Sequence, residues 1–174
     1  MKPGAIFAAV FALCLTTGPT LAVADSGGKD DTASCPRGEV WDSRQRKCVK
    51  VQGSVLPDKT LTDYAAALSK AGRYDEALAI LDLLKKPNTA EALNYRGYAT
   101  RKLGQLDEGI KYYLRSVALN PRYTLVREYL GEAYVIKGDM ASAKAQLQAI
   151  KRLCGTDCEQ YQHLASAIAD PSKM

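Results

Sequence analysis

Hydrophobic residues recur at every third or fourth position through most of the chain from residue 58 onward. This spacing places them on one face of an α-helix, with the intervening polar residues on the other face. Gly72, Gly104 and Gly138 interrupt the pattern, and a glycine in such a place typically ends a helix. The pattern predicts six helices at residues 58–71, 74–85, 90–103, 107–119, 123–137 and 140–153.

The predicted helices form pairs, and the pairs recur with a period near 34 residues. The small residues Gly97, Gly104 and Gly109 define the register of the middle pair. The corresponding residues 32 positions earlier and 34 positions later are also small: Ala65, Gly72, Ala77, Gly131, Gly138 and Ala143. A fixed period of this length indicates helical hairpins that stack on one another and bury a shared core.

This register of small residues resembles the tetratricopeptide repeat, in which the two helices of each unit pack closely against each other. A bulky apolar residue also recurs in the second helix, at Leu81, Tyr113 and Leu147, and Pro121 ends the middle unit. The resemblance covers residues 58–157. The three units are residues 58–89, 90–123 and 124–157.

The chain departs from the family pattern at several positions. Arg96 and Arg127 stand where the family usually has a large apolar residue. The first unit is two residues shorter than the others, and Gly155 replaces the proline that would close the last unit. The packing of the first and last units is therefore where differences from the family are expected.

A seventh helix is predicted at residues 157–169, after the last unit. Thr156 and Glu159 have the spacing of a capping box, which opens a helix, and Pro171 ends it. Because the last unit of a stacked array needs a polar outer cover, this helix is predicted to cap the array. The predicted fold class is therefore all-α, an α-solenoid of three helical hairpins and a C-terminal capping helix.

Residues 1–24 have the features of a signal peptide. Lys2 precedes an apolar run from Ala5 to Leu15, and a small-x-small pattern ends at Ala24. An uncleaved membrane anchor is the alternative, although the run is shorter than the roughly 20 residues that cross a bilayer. We expect cleavage after Ala24, no membrane span in the mature chain, and a periplasmic or secreted protein.

The cysteines of the mature chain are Cys35, Cys48, Cys154 and Cys158, because Cys14 leaves with the signal peptide. An even number of cysteines in an exported protein favours disulfides. Three pairings are possible, and the short loops favour Cys35–Cys48 and Cys154–Cys158. The spacing matches no common zinc motif, so no metal is expected.

Residues 25–34 are polar and glycine-rich, which predicts a flexible linker. Residues 35–50 resemble the cysteine-framed C-P-x-G-x-x-W-D segments of small exported bacterial proteins. Two strands are predicted there, at Glu39–Asp42 and Lys47–Lys50, in a hairpin that a disulfide closes and that covers the first unit. Its basic residues are expected on the surface, available to an anionic envelope component: Arg37, Arg44, Arg46, Lys47 and Lys50.

The sequence contains no recognisable catalytic arrangement. His163 is the only histidine, and there is neither a serine nucleophile elbow nor a phosphate-binding glycine loop. The net charge of +5, or +4 without Lys2, is not arranged as basic tracts interleaved with aromatic residues. We therefore expect neither an enzyme nor a nucleic-acid-binding protein, and no cofactor.

The resemblance implies a concave face, lined by the first helix of each unit, that holds a peptide or helix of a partner. Tyr95, Tyr98 and Tyr129 would be anchors, and Arg101 and Lys102 would meet a carboxylate; alternatively, the tyrosines only pack between units. The candidate binding residues are Lys70, Asn94, Tyr95, Tyr98, Arg101, Lys102, Glu128, Tyr129 and Glu132. Thr62 and Ala66 stand where the carboxylate-binding subgroup has lysine and asparagine, so the chain departs from that subgroup.

The leading functional prediction is an exported, non-catalytic protein-binding module that acts as an adaptor or assembly factor in the cell envelope. The alternative is a thiol-redox protein that uses Cys154 and Cys158, because a cysteine in the first turn of a helix can have a lowered pKa.

Overall fold

The computed structural model describes residues 35–42, 45–51 and 56–173. The predicted signal peptide at residues 1–24 and the linker at residues 25–34 lie outside the described residues. Within the described part, the elements are β1 (Glu39–Asp42), β2 (Lys47–Lys50), α1 (Asp58–Lys70), α2 (Tyr74–Leu81), α3 (Ala90–Lys102), α4 (Leu106–Leu119), α5 (Thr124–Lys137), α6 (Met140–Cys154), α7 (Glu159–Ala169) and a 3₁₀ turn (Pro171–Lys173).

The helices form the predicted solenoid. The pairs α1–α2, α3–α4 and α5–α6 are antiparallel hairpins that stack in chain order, and α7 packs against both α5 and α6. One apolar core lies between the N-terminal hairpin and the first unit, and a second lies between the second and third units. The all-α prediction of three hairpins and a C-terminal helix is confirmed. No helix in the described ranges combines the length and hydrophobicity that a membrane crossing requires.

Small residues set the distance between α3 and α4. A Cβ atom at Gly97 would lie 2.8 Å from the ring of Tyr113 and 3.0 Å from the carbonyl oxygen of Gly109. A Cβ atom at Gly109 would lie 2.9 Å from the carbonyl oxygen of Gly97. The two backbones are therefore in direct contact at this crossing, which explains the small residues at these register positions.

The structure corrects two predicted helix boundaries. Helix α2 ends at Leu81 instead of residue 85. After its end, the Asp58 carboxylate accepts hydrogen bonds from the backbone N–H groups of Lys85 (3.1 Å) and Lys86 (2.7 Å). Helix α7 begins at Glu159, and the residue before it, Cys158, makes no side-chain cap. The predicted capping box at Thr156 is therefore wrong, and the other helix ends agree with the prediction to within one residue.

The N-terminal hairpin forms as predicted. Strands β1 and β2 pair antiparallel, and the Cys35–Cys48 disulfide closes the hairpin. Arg73 anchors it to the first unit, because its Nη1 donates to the Cys35 carbonyl (3.1 Å) while its Nη2 pairs with Glu76 (2.7 Å). The hairpin therefore contacts the first helical pair, with Cys35 and Val40 buried in the first core.

Polar contacts accommodate the two arginines that depart from the repeat pattern. Arg96 pairs with Asp82 at 2.8 Å and lies over the ring of Tyr112, 6.0 Å from its centroid. Arg127 donates to the carbonyl oxygen of Pro121 (2.8 and 3.0 Å) and to Gln146 (2.9 Å). Both guanidinium groups therefore join neighbouring elements where the family pattern would place apolar contact.

Candidate functional site

A groove of about 700 Å³ lies on the side of the solenoid formed by α3, α5 and α7. Helices α3 and α5 are the first helices of the second and third units, so this is the side on which the resemblance places the concave surface. The lining residues are Tyr98, Arg101, Lys102, Tyr129, Glu132, Val135, Ile136, His163, Ser166, Ala167 and Pro171.

Tyrosine rings form a connected row beside the groove. The centroids of Tyr98 and Tyr129 are 4.9 Å apart, those of Tyr74 and Tyr98 are 6.2 Å apart, and those of Tyr113 and Tyr129 are 6.3 Å apart. Tyr113 is completely buried, whereas Tyr98 and Tyr129 remain partly exposed. These two rings therefore both pack between units and present part of their surface to the groove.

An ion pair crosses from α3 to α5 at the base of the groove. Nη2 of Arg101 lies 2.9 Å from Oε2 of Glu132, and only 4% of the Arg101 side chain is exposed. The guanidinium also lies over the ring of Tyr98, 5.4 Å from its centroid. The charge of Arg101 is therefore already paired with a carboxylate of the same chain, whereas the sequence analysis assigned it to a partner's carboxylate.

Lys102 and Ile136 are two of the exposed side chains that line the groove. The ammonium of Lys102 lies 5.7 Å from the centroid of Tyr98, and its side chain is open to solvent. Ile136 is 50% exposed. Together they give the groove a cation and an apolar contact beside its aromatic surface.

Glu128 is a buried acid that links α5 to α7. Its Oε1 lies 3.0 Å from Nδ1 of His163, and only 5% of its side chain is exposed. Burial raises the pKa of Glu128 to about 7, and the hydrogen bond from His163 acts in the opposite direction. Glu128 was predicted to face a partner; instead it lies beneath His163, whose half-exposed ring forms part of the groove wall.

Three other predicted residues do not line the groove. Asn94 is completely buried, and its Nδ2 lies 3.5 Å from the hydroxyl of Tyr123. Tyr95 packs against the first apolar core. Lys70 is exposed on α1, outside the groove. The helical periodicity correctly predicted that all three residues lie in helices. The extent to which each side chain is buried depends on the neighbouring unit, and periodicity gives no information about that.

The sequence reasoning missed the contribution of α7. His163, Ser166 and Ala167 form one wall of the groove, although this helix was predicted only to cover the end of the array. Its close approach depends on Gly131, where a Cβ atom would lie 2.7 Å from Cδ1 of Leu164. The equivalent glycine of the second unit, Gly97, instead packs against Tyr113 and Gly109 of its own hairpin, so the register glycine did not reveal the position of α7.

The cysteines and the acidic residues do not form a metal site in the described part of the chain. Cys35 is bonded to Cys48, and Cys154 at the end of α6 is bonded to Cys158 before α7. The described ranges contain no group of three histidine, cysteine, aspartate or glutamate side chains that would hold a metal ion.

Comparison with protein families identifies residues 90–123 as a tetratricopeptide repeat. The fold is similar to the crystal structure of MamA, with 22% identity, 64% of this chain and 67% of that chain covered, and a TM-score of 0.54. The comparison with curated proteins found no match.

Two further similar structures contain bound segments of other proteins. One is the first TPR of Spaghetti (RPAP3) bound to the HSP90 peptide SRMEEVD, at 19% identity, with 69% of this chain and 99% of that chain covered and a TM-score of 0.55. The other is PcrH in complex with the chaperone binding region of PopB, at 17% identity, with 64% and 91% covered and a TM-score of 0.53. At these identities the likeness concerns the fold.

Proposed function

The chain contains a tetratricopeptide repeat within a solenoid of the same fold, and on this premise we propose that it is a non-catalytic protein-binding module. Its groove holds a segment of a partner protein. The chain acts as an exported adaptor or assembly factor in the cell envelope, a part of the proposal that rests on the predicted signal peptide and disulfides.

The observation that carries this proposal is the groove itself. Tyr98 and Tyr129 provide aromatic contact at low entropic cost, because each is already held by its neighbours. The RPAP3 and PcrH structures support the proposal, since each has a segment of another protein bound to the same fold.

The chemistry of the groove indicates the kind of segment. An apolar side chain would contact Tyr98, Tyr129 and Ile136, and an acidic group beside it would meet the exposed ammonium of Lys102. Arg101 and Glu132 neutralise each other and hold the two units together, so they shape the groove. The preferred ligand is therefore a short apolar segment with an acidic flank.

Affinity capture from cell-envelope extract tests the proposal with a matched pair of variants. Ile136→Ser removes an exposed aliphatic side chain at the groove, and Leu83→Ser removes one of equal exposure, 48% against 50%, outside it. We expect Leu83→Ser to retain the partner of the unmodified protein and Ile136→Ser to lose it. Equal capture by both variants would contradict the assignment of the groove.

A thiol-redox role is the second candidate, favoured by the exposed Cys154–Cys158 disulfide. In such a role, the disulfide would accept two electrons and two protons from a substrate dithiol, leaving two thiols on the protein and a disulfide on the substrate. The test is oxidation of a reduced model protein by the purified chain. Oxidation that is lost in Cys154→Ser/Cys158→Ser would support this role, and no oxidation would exclude it.

A further inference from the structure

After the first turn of α4, which carries Asp107 and Glu108, the second helices of the second and third units carry basic residues and no acidic ones. Between residues 109 and 127 there is no aspartate or glutamate, but there are Lys111, Arg115, Arg122 and Arg127. Residues 140–156 likewise contain only Lys144, Lys151 and Arg152 as charged residues. Although the net charge of the whole chain is modest, the charged residues of segments 109–127 and 140–156 are therefore all positive.

These charges point away from the groove. Ile110 and Tyr113 of α4 are buried in the second core, and Ala143 and Ile150 are the buried residues of α6. The opposite side of each helix is exposed. On α4 this exposed side begins with Asp107 and continues with Lys111, Leu114, Arg115, Ala118, Leu119 and, beyond the helix end, Arg122.

Two leucines are exposed among these cations, 46% for Leu114 and 56% for Leu119. Their spacing from Lys111 and Arg115 places all four side chains on one helical face. The opposite side of α4 is the one that packs in the core, so these two leucines are not part of that core. This exposed face of α4 therefore carries both aliphatic and basic side chains.

Arg127 links the segment that follows α4 to α6. Its guanidinium donates to the carbonyl of Pro121, next to Arg122, and to Gln146 of α6. Arg152 is close enough to contribute, after burial, to lowering the pKa of Arg127. The exposed cations Arg122 and Arg152 thus both lie near the half-buried Arg127.

Some of these basic side chains form an ion pair or a hydrogen bond with a neighbouring side chain, and others do not. Lys111 pairs with Glu108 at 2.9 Å, and Arg115 donates to Asn88 at 2.7 Å. Arg122, Lys144, Lys151 and Arg152 are all exposed, and no carboxylate of the described residues forms an ion pair with them. These four cations are therefore available to an external anion.

We propose that the outer face formed by α4 and α6 docks on an anionic phospholipid surface, with Leu114 and Leu119 entering the headgroup region. Interfacial helices combine basic and aliphatic groups in this way, and each basic residue near an anionic bilayer strengthens binding. Two separated leucines are a poor core for a protein interface, which typically buries about 800 Å² on each side. This docking is independent of the proposed groove function, and it leaves the groove facing away from the lipid.

Vesicle co-sedimentation tests the proposal with protein produced from the full chain in an exporting host. The vesicles contain either phosphatidylcholine alone or phosphatidylcholine with about 30 mol % phosphatidylglycerol, because only the second has a negative surface potential. We expect binding to the anionic vesicles that disappears when salt rises from about 0.05 M to about 0.5 M, since salt screens the attraction. Equal binding to neutral vesicles would overturn the proposal.

A matched pair of triple variants separates the location of the charge from its amount. The outer-face variant carries Arg122→Gln, Lys151→Gln and Arg152→Gln, and the control carries Lys70→Gln, Lys85→Gln and Lys86→Gln, all at exposed positions. At roughly five-fold per basic residue, the outer-face variant should bind about a hundred-fold more weakly than the control. Equal loss in both variants would show a non-specific charge effect and overturn the proposal.

The alternative partner for this surface is a soluble acidic protein, and polyglutamate represents such a protein in the experiment. If the chain binds polyglutamate at low salt but fails to sediment with anionic vesicles, the outer face recognises acidic proteins and the lipid proposal is wrong. If it sediments with the vesicles and Leu114→Gln/Leu119→Gln weakens that sedimentation without changing polyglutamate binding, the lipid assignment stands.

Discussion

Replacing Gly97 with alanine places a methyl group at the closest approach of α3 and α4. That methyl would lie 2.8 Å from two ring atoms of Tyr113 and 3.0 Å from the carbonyl oxygen of Gly109. Tyr113 is completely buried, so its ring has no space into which it can turn. The two helices must therefore move apart, which loosens the core of the middle unit.

Two opposing terms set the size of this effect. Alanine favours the helix over glycine by about 1 kcal/mol, which would stabilise the chain if there were room for the methyl. Overpacking a filled core costs about 1–3 kcal/mol, and the upper end applies here because a backbone carbonyl blocks the methyl on one side. The net expectation is a loss of about 2 kcal/mol, and a lower Tm by roughly 4–8 °C.

Urea unfolding followed by far-UV circular dichroism measures the loss. Ala118→Gly is the control, because Ala118 is exposed on α4 and its replacement changes only the helix propensity, by about 1 kcal/mol. If Gly97→Ala is more stable than the unmodified chain by that same amount, then α3 and α4 have room between them. The account of the register glycines would then be wrong.

Three further predictions concern the two ends of the solenoid and its buried acid. Gly131→Ala should speed hydrogen exchange in α7 and leave α1 unchanged, because the new methyl would lie 2.7 Å from Cδ1 of Leu164. Cys48→Ser removes the disulfide to Cys35, which lies 13 residues earlier in the sequence. It should lower the free energy of unfolding in urea titrations by about 3 kcal/mol, the value expected for a loop of about this length. The folded chain holds the pKa of Glu128 at about 7, above its ordinary 4.5, so its folded state binds more protons between those values. Stability should therefore fall as pH rises from about 4.5 to about 7, by up to about 3 kcal/mol, and Glu128→Gln should remove that dependence in urea titrations across this range.

The helices and their repeats were predictable because their signals are local. Apolar periodicity and the glycines after α1, α3 and α5 lie within each helix or next to it. The end of α2 was not predictable from these signals, because Asp58, 27 residues before Lys85, holds the backbone that follows the helix. This contact joins residues that are distant in the sequence, so helical periodicity could not predict it.

The groove was predictable in part for the same reason. Tyr98, Lys102 and Tyr129 lie where helical phase and the family resemblance expected them. Glu128 shares a helical face with Glu132, but α7 covers one and leaves the other at the groove. The position of α7 on the array is not part of the repeat register, so its wall of the groove could be found only in the structure.

Site-specific photocrosslinking tests most directly whether the groove holds a partner. The photoreactive residue replaces Lys102, and in the control it replaces Lys70; both are exposed in the last turn of a first helix, and only Lys102 lines the groove. In cells that export the chain, the proposal predicts one discrete adduct from position 102 and none from position 70. Mass spectrometry should map the adduct from position 102 to an apolar segment with an acidic flank. The same adducts from both positions, or none from position 102, would contradict it.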